Sequence, residues 1–196
     1  MPDKLTPDQA LTQLLRGNER FVAGWPDHPN QSARRRHEVS DAGQQPYAII
    51  LSCADSRVPP EIVFDQGLGD LFVIRVAGNV LDDVILGTIE YAVEHLHAPL
   101  VMVLGHDKCG AVTAAVEHER INNHVQAVVD ALQAAILMAE GQEGDRVSTT
   151  IDANVRYAVK TLHASEPVLM GACAAGQLRI VGARYNLDTG EVKVIA

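Results

Sequence analysis

The sequence predicts an α/β fold in which a mainly parallel sheet of about four strands is flanked by helices and ends in an antiparallel edge strand. Short apolar runs alternate with amphipathic helical patterns, as in parallel sheets with right-handed crossovers. The run Leu100–Leu104 is apolar throughout, which indicates that helices cover both faces of this strand. Near the end of the chain, a turn at 188–190 separates two short runs and predicts a hairpin.

Composition favours a globular enzyme that forms one domain over residues 1–196. The 196 residues are 47% hydrophobic and 21% charged, which suits a single domain with a sizeable core. The net charge of −9, with no basic stripe, argues against nucleic-acid binding. No run reaches the roughly 18 apolar residues of a membrane span. Three separated cysteines without a disulfide framework, and no visible secretory signal, favour the cytoplasm.

The first predicted element is a helix within residues 1–24. Thr6 and Gln9 can form a capping box, Pro7 suits the first turn, and Gly24 ends the helix. The helix carries an apolar stripe of Leu11, Leu14, Leu15, Phe21 and Val22. Because it stands outside the strand–helix alternation, its stripe is buried either on its own domain or on a partner subunit.

The α/β core is predicted to span residues 47–196, after a polar crossing segment with a short helix near 34–39. Apolar runs bounded by glycine or proline predict strands at 47–51, 71–76, 100–104, 178–185 and 191–195. Helical periodicity predicts helices at 81–97, 111–119, 122–139, 148–164 and 167–175.

A thiol, a carboxylate and a guanidinium follow the first predicted strand at alternate positions. They belong to Cys53, Asp55 and Arg57. Alternate residues at a strand end point to one side, so the three groups can converge on one small site. Taken alone, the same residues could equally be a buried cysteine beside an ordinary surface ion pair.

A second motif follows the strand 100–104 and contains His106 and Cys109. Ligands of open α/β sheets bind at the carboxyl ends of the strands, where Cys53 also lies. Two thiols and one imidazole make a three-ligand set, as in catalytic zinc sites that leave the fourth position to water or substrate. Sulfur and imidazole suit zinc better than magnesium or calcium.

Together, the two motifs resemble those of the β-class carbonic anhydrases. The similarity extends over nearly the whole chain, with further matching segments at 17–21, 65–73, 77–79, 89–92 and 180–185. The resemblance implies zinc-dependent, reversible hydration of carbon dioxide to bicarbonate and a proton. One Zn²⁺ per subunit would be held by Cys53, His106 and Cys109, and zinc-bound hydroxide would attack CO₂.

The resemblance also implies a catalytic dyad of Asp55 and Arg57. Paired with Arg57, the Asp55 carboxylate would accept a hydrogen bond from the zinc-bound hydroxide and orient it toward CO₂. Freed from Arg57, it could become a fourth zinc ligand and inactivate the enzyme, and both states occur in the family.

Four further residues match substrate-binding positions of the family. Gln44 lies where the family hydrogen-bonds a substrate oxygen, and the backbone N–H of Gly110 is a candidate donor to a bound anion. Phe72 and Tyr91 match aromatic residues of the cleft, partly supplied by the neighbouring subunit, although both could be ordinary core residues. The family forms homodimers, often paired into homotetramers, with the N-terminal helix laid across the partner.

Two other functions fit the same ligands. The first is a hydrolase of carbon disulfide or carbonyl sulfide on the same scaffold, which only substrate assays separate from a carbonic anhydrase. The second is a non-enzymatic zinc-binding or redox-binding protein, in which Asp55, Arg57 and Gln44 would have no reason to accompany the ligands.

Overall fold

The computed structural model describes residues 5–117 and 123–196, and these residues form a five-stranded sheet flanked by helices. The strands are β1 (Ala48–Ser52), β2 (Leu71–Arg75), β3 (Leu100–His106), β4 (Arg179–Tyr185) and β5 (Val192–Val194). Their order is β2-β1-β3-β4-β5. The first four are parallel and β5 pairs antiparallel with β4, which confirms the predicted fold class.

Helices of the described residues lie on both faces of this sheet. They are α1 (Pro7–Ala23), α2 (Ala33–Ala42), α3 (Pro60–Val63), α4 (Asp83–Glu94), α5 (Gly110–Val116), α6 (Val125–Ala131), α7 (Gln133–Ala139), α8 (Arg146–His163) and α9 (Val168–Ala174). A short 3₁₀ turn occupies Ala77–Asn79. No helix in the described part of the chain is both long and apolar enough to cross a membrane.

Strands β1 and β3 are apolar except for Ser52 and His106 at their ends, as expected where both faces of the sheet are covered. In β1, Ile49 and Leu51 face a cluster that includes residues of α4, α8 and α9. Ile50 faces the opposite cluster, which includes α1 and α3. All three side chains are fully buried, so each face of the strand contributes to a separate part of the core.

Helix α1 begins and ends as predicted. Thr6 and Gln9 form the capping box, and Gly24 takes a left-handed conformation at the C-terminus. Leu11 and Leu14 are buried against the chain's own sheet. Packing of this helix on a partner subunit therefore stays a prediction, and it concerns the parts of α1 that remain exposed.

Several boundaries differ from the prediction for local reasons. Helix α4 begins only at Asp83, because the Asp82 side chain accepts the N–H of Ile85 and caps the helix. The predicted helix at 122–139 is two helices, α6 and α7, which meet at Leu132. The predicted ends at 119 and 122 lie outside the described residues. Helix α3 was not predicted, because its four residues are too few to show a helical period.

Strand β3 is two residues longer than predicted, and this difference matters for the site. It pairs with β4 over its whole length, as far as His106 beside Tyr185. His106 is therefore the last residue of a fully buried strand and not part of a loop.

Candidate metal centre

Three predicted ligands meet at the carboxyl ends of two neighbouring strands. Cys53 directly follows β1, His106 ends β3, and Cys109 precedes the first residue of α5. Their ligand atoms all lie within 4.8 Å of one another, and all three residues are buried. Within residues 5–117 and 123–196 they are the one group of at least three His, Cys, Asp or Glu residues found able to hold a metal ion.

The hydrogen bonding of His106 fits metal binding. Its Nδ1 lies 2.8 Å from the backbone carbonyl of Asp107. A carbonyl oxygen only accepts, so Nδ1 carries the hydrogen and the lone pair is on Nε2. Nε2 is buried and has no hydrogen-bond partner in the described structure. A buried acceptor without a partner is costly, and a metal ion in the cluster would satisfy it.

The distance between the two sulfurs also suits a tetrahedral ion. The Sγ atoms of Cys53 and Cys109 are 4.0 Å apart. Two Zn–S bonds of about 2.3 Å at a tetrahedral angle would separate the sulfurs by about 3.8 Å. The cluster is therefore close to the geometry that such an ion requires, and its soft donors match the metals that thiolate sites select.

The two thiols differ in how easily they ionise. The hydrogen bond with Cys109, assisted by the N–H groups of Asp55 and Gly78 at 3.4 Å and 3.3 Å, lowers the pKa of Cys53 well below its usual value. The same hydrogen bond, together with burial, raises the pKa of Cys109. The first of the two thiols, Cys53, therefore ionises readily. Loss of the proton from Cys109 becomes favourable only when a cation binds.

Asp55 and Arg57 form a bidentate ion pair beside the cluster. The Nε and Nη2 atoms of Arg57 donate to the two carboxylate oxygens at 2.9 Å and 2.7 Å. The hydrogen bond from Arg57 lowers the pKa of Asp55 to about 2, so the carboxylate is ionised at neutral pH. Its Oδ2 lies 4.0 Å from Nε2 of His106, which places the charge next to the ligand cluster.

Two supporting groups were missed in the sequence. The Arg75 side chain donates to the carbonyls of Cys53 and Asp55 at 3.1 Å and 2.6 Å. Gly78, with φ of 70°, points its N–H at the Cys53 sulfur. The available signals were a lone charge at the end of the apolar strand β2 and a glycine three residues later, but neither pattern identifies its partner.

Of the four substrate-binding residues expected from the resemblance, only Gly110 lies beside the cluster. It is the first residue of α5, directly after Cys109. Gly110 is exposed, and at the first position of a helix its N–H has no carbonyl partner within the helix. This N–H is therefore a candidate donor to a small anion near the ligands.

Gln44, Phe72 and Tyr91 lie near the other end of the sheet. Gln44 is exposed in the segment before β1. Phe72 pairs with Ile49, four residues or about 13 Å along the strand from Cys53. The rings of Phe72 and Tyr91 are neighbours, with centroids 6.3 Å apart. One copy of the chain therefore does not bring these three residues to its own ligand cluster.

Comparison with known proteins agrees with this geometry. Residues 48–192 match the family model described as carbonic anhydrase. The chain is 46% identical over 190 residues to carbonic anhydrase 2 of Mycobacterium tuberculosis, covering 94% of this chain and 90% of that one. It is 42% identical over 198 residues to a carbonic anhydrase of Mycolicibacterium smegmatis, covering 99% and 95%.

Solved structures show the same architecture. The two described as tetrameric β-carbonic anhydrases come from the fungus Sordaria macrospora, and one of these chains superposes with a TM-score of 0.75. The sequence identity is 27%, and the match covers 95% of this chain and 96% of that one.

Proposed function

The chain belongs to the β-class carbonic anhydrases, and from this premise we propose that it hydrates carbon dioxide reversibly to bicarbonate and a proton with one Zn²⁺ per subunit. The buried cluster of Cys53, His106 and Cys109 carries the proposal, because its donors and spacing suit that ion. Family membership disfavours the non-enzymatic alternative, in which the ion pair beside the cluster has no role.

The protein's contribution begins with the three residues that would hold the ion. When bound, Zn²⁺ supplies Lewis-acid activation, which makes hydroxide available as a nucleophile near neutral pH. Cys53 and Cys109, as thiolates, would hold the ion together with Nε2 of His106. Because thiolates donate more charge than imidazoles, we expect a higher working pH than for a site with three histidines.

Asp55 would orient the attacking oxygen. An ionised carboxylate only accepts hydrogen bonds, so it can take one from the nucleophile and direct a lone pair away from itself toward CO₂. Arg57 holds both carboxylate oxygens and keeps Asp55 ionised. Without Arg57, the carboxylate would be free to turn toward the three ligands and compete with the substrate for the metal.

Gly110 would bind the product anion. Gly110 is exposed at the start of α5, directly after Cys109, and its N–H has no carbonyl partner within the helix. A backbone donor at this point can stabilise the charge that forms on the oxygens of bicarbonate.

The remaining substrate contacts would come from a second copy of the chain. Gln44, Phe72 and Tyr91 lie away from the ligands of their own chain, and Tyr91 is 48% exposed. A homodimer or homotetramer would bring them to a neighbour's ligands, in line with the tetrameric relatives from Sordaria macrospora. We place this assembly in the cytoplasm, where free thiols are kept reduced.

The test combines metal analysis with CO₂ hydration measured by stopped flow. We expect one zinc per chain, loss of turnover on chelation, and recovery when Zn²⁺ is restored. The rate should rise between about pH 6.5 and 9 as hydroxide becomes available. A fully zinc-loaded protein that hydrates CO₂ no faster than buffer, but hydrolyses carbonyl sulfide or carbon disulfide, would support the alternative hydrolase instead.

A further inference from the structure

A partly buried ion-pair network lies behind the His106 ligand. Arg184 of β4 donates through Nε to the Asp107 carboxylate at 2.6 Å and through Nη1 to the Asp152 carboxylate at 3.0 Å. Nη1 also lies 3.2 Å from the carbonyl of Ser148. The Arg184 side chain is 22% exposed and that of Asp107 is 16% exposed. One guanidinium thus joins the end of β3 to β4 and α8.

This network acts on the residue that orients His106. The Asp107 carbonyl accepts the Nδ1 hydrogen of His106 at 2.8 Å, and the Asp107 N–H donates to the Tyr185 carbonyl at 3.1 Å. With its N–H held by β4 and its side chain held by Arg184, Asp107 has little freedom to rotate its carbonyl. That carbonyl keeps the hydrogen on Nδ1 and leaves the Nε2 lone pair for the metal.

The turn between the two ligands needs such support. Lys108 has φ of 53°, a left-handed conformation that a residue with a Cβ rarely adopts. Its ammonium group is tied to Asp188 at 2.8 Å. A short turn with this backbone persists only when its surroundings hold it, and Arg184 holds it on the side of His106.

We propose that Arg184 is a positioning residue of the metal centre, which acts through Asp107 to fix the tautomer and ring orientation of His106. The inference rests on the proposed zinc site, since it concerns how one of its ligands is held. Cys53 does not need this kind of brace, because backbone N–H groups contact its sulfur directly.

The experiment measures metal affinity and ligand geometry as well as turnover. Arg184→Met removes the guanidinium and keeps much of the aliphatic stem. We expect its Zn²⁺ affinity, measured by competition with a chelator, to fall about 10- to 100-fold. The visible spectrum of the Co²⁺-substituted variant should also shift, because His106 no longer approaches the ion in one orientation.

Arg179→Met is the matched control. Arg179 lies on the same strand and pairs with Asp8 on the surface, with side chains 46% and 80% exposed. This variant should keep the Zn²⁺ affinity and Co²⁺ spectrum of the unaltered protein. Wild-type affinity and spectrum in Arg184→Met would overturn the proposal. Failure of the unaltered protein to bind zinc would instead contradict the proposed function.

A second pair of variants distinguishes an effect on the orientation of His106 from a general loss of stability. This pair also provides a test if Arg184→Met does not fold. Asp107→Ala removes the link between Arg184 and the His106 turn, whereas Asp152→Asn weakens only the link to α8. If the two variants have similar melting temperatures, Asp107→Ala should therefore lose much more Zn²⁺ affinity than Asp152→Asn. Equal affinities in the two variants would mean that the network is merely structural.

Discussion

The two ends of the parallel sheet differ in how complete they are within one chain. At the carboxyl end, Cys53, His106 and Cys109 are buried, and their donor atoms lie within 4.8 Å of one another. At the amino end, Gln44 is exposed and Tyr91 is 48% exposed. The first end is assembled by the chain's own strand order, whereas the second leaves these two side chains exposed.

The difference indicates that the residues which bind the metal and those which enclose the substrate are positioned by different parts of the structure. Adjacent parallel strands bring their carboxyl ends together, so β1 and β3 need no second chain to bring Cys53 and His106 close to each other. The same parallel arrangement keeps Phe72, which pairs with Ile49 near the start of β1, away from Cys53. A chain of this topology brings its three candidate ligands together by itself, and under the proposed assembly the other cleft residues come from a second copy.

The largest effect is expected from removing a ligand. His106→Ala should lose zinc and reduce CO₂ hydration to the buffer rate, because the two cysteines provide only two of the three protein ligands. Gln44→Ala should keep its zinc, since Gln44 belongs to the other end of the sheet. Zinc content by elemental analysis and stopped-flow rates on both variants would test this contrast. Equal zinc loss in the two variants would contradict the assignment of metal binding to the carboxyl end of the sheet alone.

The second-largest effect on turnover is expected at the ion pair of Asp55 and Arg57 beside the ligands. Arg57→Ala should keep zinc and lose about 100-fold in turnover, because Asp55 is no longer held where it orients the nucleophile. Arg57→Lys should recover part of the rate, since it restores the charge but not the bidentate geometry. Full activity of Arg57→Ala with normal zinc content would disprove the role of the pair.

Mixed oligomers test whether the amino end serves a neighbour. A copy with Cys109→Ser and a copy with Gln44→Ala should each be impaired alone. In a mixed dimer with shared sites, one site would combine an intact Cys109 with an intact Gln44 from the other copy. We expect about half of the wild-type rate per mixed dimer, purified with two different tags. No recovery above the separate variants would show that each site is built from one chain.

The smallest effect is expected from loosening the amino end without touching the ligands. The Asp65 carboxylate is 1% exposed and accepts hydrogen bonds from Arg20 and from the N–H groups of Asp27 and His28. Burial raises the pKa of Asp65, but the hydrogen bonds from Arg20 and from these N–H groups outweigh it and lower the pKa overall. Because the folded-state pKa is lowered, this stabilisation is present above about pH 4 and is lost as the pH falls through the lowered value.

Asp65→Asn should reduce the free energy of unfolding at pH 7 by about 2 kcal/mol, the scale of hydrogen bonds to a charged group, and make it less sensitive to acid. Urea unfolding at several pH values measures both changes, with zinc content at pH 7 unchanged. Asp8→Asn is the control, because the Asp8 side chain is 80% exposed and its ion pair contributes little. An acid dependence identical to that of the unaltered protein would contradict the role given to Asp65.

The sequence alone predicted much of this protein because the relevant signals are local. Apolar runs located the five strands, and the capping box located the start of α1. The positions of Cys53 and His106 at strand ends identified the candidate ligands before any contact was known. Strand length, helix caps and the alternation of side chains depend on neighbouring residues, so the order of amino acids determines them directly.

Only the tertiary structure revealed which distant groups support the ligands. Arg184 is 77 residues from Asp107, and Gly78 is 25 residues from the sulfur to which it donates. Phe72 and Tyr91, grouped with the site by resemblance, lie away from it within one chain. Such contacts depend on strand register and helix packing, which arise from the whole core at once and leave no periodic pattern in the sequence.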